Sequence, residues 1–169
     1  MNLGLAYEEI NQTAAAVSFF LRAAEYGLGK KTPKIVYTSL LKISECFNSQ
    51  GGRIHSVTNA LHQAIAYWPE RPEGYFLLAR FHERAGNWQE CYTWASIGLV
   101  YAEIDEEHWL PAYVGYQGKY CLEFEKAVSG WWIGRREESV KLFTYLLNTY
   151  SMTAEYSQAC ISNLERAHG

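Results

Sequence analysis

Proline is scarce in this chain. Its four prolines in 169 residues, Pro33, Pro69, Pro72 and Pro111, all fall between periodic segments. Proline breaks a helix or a central strand, so this placement marks where helices stop and leaves their interiors uninterrupted. Charge of one sign is also lacking. Fifteen basic residues against eighteen acidic ones leave a formal charge of -3, which offers no basic field for nucleic acid. The one dense basic cluster, Lys30, Lys31 and Lys34 beside Pro33, reads as a solvated turn between helices. No run of eighteen apolar residues occurs, and no charged-then-apolar leader opens the chain, so neither a membrane partner nor secretion is expected.

Closely spaced thiols are missing too. Cys46, Cys91, Cys121 and Cys160 stand far apart in apolar or helical sequence, whereas zinc sites and redox motifs need paired cysteines at short gaps. The four are expected as small buried hydrophobes in a reducing, cytoplasmic setting. The signatures of catalysis are equally absent: no Gly-rich phosphate loop, no nucleophile elbow and no two-histidine zinc helix. His55 and His62 lie two helical turns apart, too far for joint ligation. Glu106, Glu107 and His108 adjoin one another without a nucleophile, and Glu137-Glu138 suits the start of a helix, where acidic residues favour the dipole. No catalytic residue, cofactor or metal is expected, and the chain reads as a non-enzyme.

What the sequence does have is aromatic bulk and a repeat. Six Trp, thirteen Tyr and seven Phe make 15% of the chain, enough large side chains to fill the gaps between packed helical layers. Leu3-Gly4 followed by Tyr7, then Ala16, Phe20 and Ala23, gives one small-large pattern over two helices. Tyr75, Leu78, Ala79 and His82, a turn at Gly86, then Cys91, Ala95, Gly98 and Leu99 give it again. Val57, Leu61 and Ala64, ending in Pro69, form a partial unit, and Gly134, Ser139, Phe143 and Leu146 another. The small residues suit close helix crossings; Tyr7, Phe20, Leu61, Tyr75 and Phe143 suit the space between layers.

In these residues the chain resembles the tetratricopeptide-repeat family. The resemblance implies an all-α fold of stacked antiparallel hairpins, an α-solenoid in which each hairpin needs a neighbour to cover its apolar face. Units are expected at about 1–28, 33–69, 70–103 and 117–149, with a capping helix at 153–167, as one repeat domain over 1–169. Helices are expected at 1–11, 13–27, 33–49, 53–67, 72–85, 88–103, 117–133, 136–149 and 153–167. The first helix is about a turn short of a standard unit, which suggests a piece of a longer chain.

The resemblance also implies a function. In such arrays the first helices of successive hairpins line a concave groove that holds a protein or peptide, so an interaction module or scaffold is the first reading. Carried over, the groove residues are Lys42, Phe76, Arg80, Glu83, Arg84 and Trp131. Arg80 and Arg84, one helical turn apart, can reach one carboxylate unless they pair along their own helix with Glu73 and Glu83. Met1, Asn2 and Leu5 stand where the chaperone-tail clamp subclass has basic residues and asparagine, so that ligand is not expected. A looser similarity, in Glu123–Leu147 and in Pro69-Glu70-Arg71-Pro72-Glu73, is to helical repeats appended to family-two glycosyltransferases, some of them viral. It implies an accessory region of a glycan-handling protein, with carbohydrate as the second partner class. Between the third and fourth units, Trp109, Tyr113, Tyr116 and Tyr120 lie among Pro111, Gly115 and Gly118. We expect this segment to be ordered and packed across the third and fourth hairpins, either covering the open edge between those two repeats or serving as an aromatic platform, with Tyr116 as its exposed ring.

Overall fold

A computed structural model describes residues 1–103 and 109–168. Glu106, Glu107 and His108 lie outside the described residues. Of the described chain, 78% is helical and none is strand. The helices are α1 (Asn2–Glu9), α2 (Thr13–Lys30), α3 (Pro33–Gln50), α4 (Ile54–Tyr67), α5 (Pro72–Arg84), α6 (Trp88–Gly98), α7 (Lys119–Trp132), α8 (Arg136–Thr149) and α9 (Ala154–His168), with a 3-10 turn at Leu99–Tyr101 after α6.

Local chemistry sets these boundaries. Lys31 closes α2 in the left-handed conformation, φ 56°, its N–H donating back to the Gly27 and Leu28 carbonyls. Pro33 then opens α3, where its missing N–H and fixed φ cost nothing. Gly134, at φ 88°, makes the turn between α7 and α8, a conformation that a side chain resists.

The chain divides into two compact units. The first holds 1–74 together with described residues 109–115. Its helices α1 to α4 stack sequentially as antiparallel neighbours. Phe20, Ala16, Ile43, Cys46 and Ala60 form a core among them. At its far end Tyr37 is wholly buried, and its hydroxyl accepts the Gly74 N–H at 2.8 Å. Arg71 and Glu73 form a buried ion pair beside it, with the guanidinium 5.4 Å from the Trp68 ring centre.

The second unit holds 75–103 and 116–168. There α6, α7, α8 and α9 stack in order, and α5 joins them through Phe76 and Ala79, which share a core with Cys91, Ala95, Cys121 and Leu122. A second core gathers Ala127, Phe143, Leu146 and Cys160. Gly98 marks a tight crossing in this unit: a Cβ there would stand 2.7 Å from the Tyr75 Cβ. Ala16, Val57, Cys91 and Ser139, one from the second helix of each expected unit, are all buried at 3% exposure or less.

Candidate functional site

The expected groove residues meet different fates. Phe76 is fully buried, a core residue and not a contact. Its position on α5 turns it into the layer of Cys91 and Leu122, because the neighbouring helices are close enough to enclose it. Lys42 is buried on α3, and its ammonium reaches Glu8 at 3.1 Å and Glu45 at 2.7 Å. Desolvation draws its pKa down, but Glu45 and Glu8 outweigh that and leave it raised. A lysine shared by two carboxylates is a structural tie between α1 and α3, with no positive charge to spare. A small cavity of about 290 Å³ adjoins it, lined by Glu8, Asn11, Thr13, Lys42, Glu45, Cys46 and Ser49. Trp131 is half-buried beneath the Arg136 guanidinium of α8, 5.0 Å from its ring centre.

Arg80, Glu83 and Arg84 remain, and the second unit gives them a setting that the sequence reading missed. Arg84 is exposed, while Arg80 is half-buried with its guanidinium 5.8 Å from the centre of the Phe76 ring. Among the described residues neither arginine takes part in an ion pair. The alternative of pairing along α5 fails for Glu73, which Arg71 holds instead. The acid that faces the arginines is Glu125 of α7. It is 4% exposed, and its carboxylate accepts a weak hydrogen bond from the Cys91 thiol at 4.0 Å.

Burial pushes the Glu125 carboxyl up to about 8, and the nearby Glu83 adds to that, while Arg80 and Arg84 pull the other way. Desolvation wins because an ionised carboxylate with no close partner is expensive in a protein interior. Burial thus favours the protonated acid at neutral pH, so Glu125 compensates the nearby arginines only weakly. Tyr156 of α9 completes the surroundings through a hydrogen bond with Cys121; burial raises its hydroxyl pKa. Cys91 is pushed up to about 12, chiefly by burial and then by Glu125. That thiol is inert as a nucleophile.

The aromatic segment is rearranged relative to expectation. Trp109 and Tyr113 are each 65% exposed, while Tyr116 is half-buried and not the exposed ring. Its hydroxyl donates to the Ala102 carbonyl at 2.8 Å and its ring lies 5.6 Å from that of Phe76. A polar tip with a backbone acceptor in reach and an apolar ring with a core in reach both favour the inward position. Tyr120 is likewise held, against Tyr150 and Tyr156. Residues 109–115 belong to the first unit, while Tyr116 and Tyr120 pack within the second. Buried Val114 anchors the 109–115 stretch.

No known family's sequence pattern matches the chain. It is similar to the regulatory protein RapF of Bacillus subtilis (strain 168), at 24% identity over 165 residues, covering 95% of this chain and 41% of that protein. The chain thus spans less than half the length of the curated relative it matches. The match runs along nearly the whole described helical array and links it to a protein named as a regulator. The similarity to glycosyltransferase-appended repeats finds no support in it. Among the described residues, no helix is long and apolar enough to cross a membrane. All four cysteines are buried, as expected of structural thiols.

Proposed function

We propose that this chain is a non-catalytic regulatory module that holds an acidic segment of a partner protein on the α5–α7 face of its second unit. Arg80 and Arg84 are the anchors, with Glu83 setting which side of the acidic segment is tolerated. One observation supports the reading: Arg80 and Arg84 stand a helical turn apart, neither in an ion pair among the described residues, near the buried Glu125, whose carboxyl burial pushes toward its neutral form. Paired arginines in that state match a carboxylate by geometry and by charge. The similarity to a regulatory protein supports an interaction role in general.

The test is anisotropy with fluorescein-labelled tetraglutamate against a tetralysine control. Salt-sensitive binding of the acidic peptide is expected, lost in the double variant Arg80→Glu, Arg84→Glu with its circular dichroism unchanged. Equal binding by wild type and variant removes the arginines from the site.

A second reading rests on Trp109 and Tyr113. Two exposed rings on a segment anchored by Val114 suit stacking against a flat partner surface, including a sugar ring. Quenching of Trp109 fluorescence by an oligosaccharide, abolished by Trp109→Ala, would support it, and no change with any glycan tested would end it.

A further inference from the structure

The first unit has an apolar face that its own helices do not cover. Leu3 and Tyr7 on α1, and Ile10 just past its end, follow one another at helical spacing; on α2, Phe19, Arg22, Tyr26 and Lys30 do the same. The Tyr7 and Phe19 rings stack at 5.2 Å and 6°, which joins the two stripes into one continuous surface. Leu3 is 58%, Ile10 63% and Tyr26 66% exposed. Two cations lie flat on this surface: Arg22 over Phe19 at 5.7 Å and Lys30 over Tyr26 at 5.8 Å.

We propose that this α1–α2 face is a homodimer interface, occupied by the same face of a second copy of the chain. Area is the first argument. A standard interface takes about 800 Å² from each partner, a little over half of it apolar. The exposed parts of Leu3, Ala6, Ile10 and Tyr26, with the edges of Tyr7 and Phe19, supply apolar surface of that order. Charge is the second. The α2 side is basic through Arg22 and Lys30, and the α1 side carries the exposed Glu9. A two-fold axis lying along the seam between α1 and α2 sets α1 of each copy over α2 of the other. Each acidic edge then meets a basic one. A face bearing both signs on opposite sides of an apolar seam is complementary to itself, which a partner of one charge sign would not match.

The experiment is light scattering coupled to size exclusion, with sedimentation equilibrium on the full chain from micromolar to hundreds of micromolar. A dimer is expected. The double variant Ile10→Glu, Tyr26→Glu should raise its Kd about thirtyfold or more, the loss of an interface anchor. Both positions are solvent-exposed in the monomer, so helicity should be unchanged. Glu9→Arg and Arg22→Glu should each weaken self-association, and an equimolar mixture of the two should restore a heterodimer. A wild-type chain that stays monomeric throughout overturns the proposal, as does a dimer indifferent to the Ile10 and Tyr26 substitutions. Binding of acidic peptide at Arg80 and Arg84 is a separate readout, so either idea can fail without the other.

Discussion

Replacing Glu125 with glutamine keeps the shape of the protonated acid but removes its ability to ionise. The carboxyl's ordinary pKa of 4.5 is pushed up to about 8 in the folded chain. Between those values the folded state holds a proton that the unfolded chain has released. Stability therefore falls as pH rises, by about 1.4 kcal/mol per unit from this group alone. The contribution is fully present below the unfolded pKa and lost once pH passes the folded one. The variant escapes that loss. It should match wild type to within about 1 kcal/mol at pH 5 and exceed it by about 3 kcal/mol at pH 7. Above pH 8 the gap levels off on the order of 5 kcal/mol. At pH 7 this corresponds to roughly 6–12 °C in melting temperature for a chain of this size. Urea denaturation of both proteins at pH 5, 7 and 9 reads the divergence directly. Curves that stay parallel, or a variant less stable at pH 9, would show that Glu125 is ionised in the folded state and compensated by Arg80 and Arg84. The arginines would then be committed inward, and the proposed anion site would lose its basis.

The repeat register makes a simpler demand. Ala16 and Ala79 are both fully buried at helix crossings, so Ala16→Leu or Ala79→Leu should overpack its core and cost about 1–3 kcal/mol in thermal or urea melts; neutral results at both would contradict the packing. Glu73→Ala removes the carboxylate paired with the buried Arg71 and should cost about 3–5 kcal/mol by the same measurement. The double change Arg71→Met, Glu73→Leu should recover much of that loss, since the pair is a fixed internal contact and not a binding group.

Helix ends were legible because their chemistry is local. Pro33 and Pro72 open α3 and α5, Gly86 and Gly134 make their turns at positive φ, and each needs no knowledge of what lies across the core. The small residues at crossings were legible for a related reason: Ala16, Ala79, Cys91 and Gly98 recur at repeat spacing, and periodicity is itself a sequence property. The end of α6 was less so, because 88–103 reads as one periodic run while the helix closes at Gly98 and continues as a 3-10 turn. Which side chains face solvent depends instead on neighbours that are distant in sequence. Tyr116, between two glycines, reads as loop, yet Phe76 and the Ala102 carbonyl capture it.

Charge was the least legible property, because it depends on neighbours distant in sequence. Lys42 and Arg80 look alike in sequence, each on a first helix at a groove position. Glu8 and Glu45 consume the charge of Lys42, and Glu8 comes from a helix that precedes it by 34 residues. Arg80 meets an acid from α7 whose ionisation burial suppresses. One signal for Glu125 was available: Cys121, Glu125 and Ser129 follow at four-residue steps, and all three are buried. An acid inside a row of small inward residues is an acid in the core, even when its neighbours in Phe124-Glu125-Lys126 suggest a solvated surface. Two glutamates consume the charge of Lys42, whereas burial favours the neutral form of the acid near Arg80 and Arg84, and the proposed anion site rests on that difference.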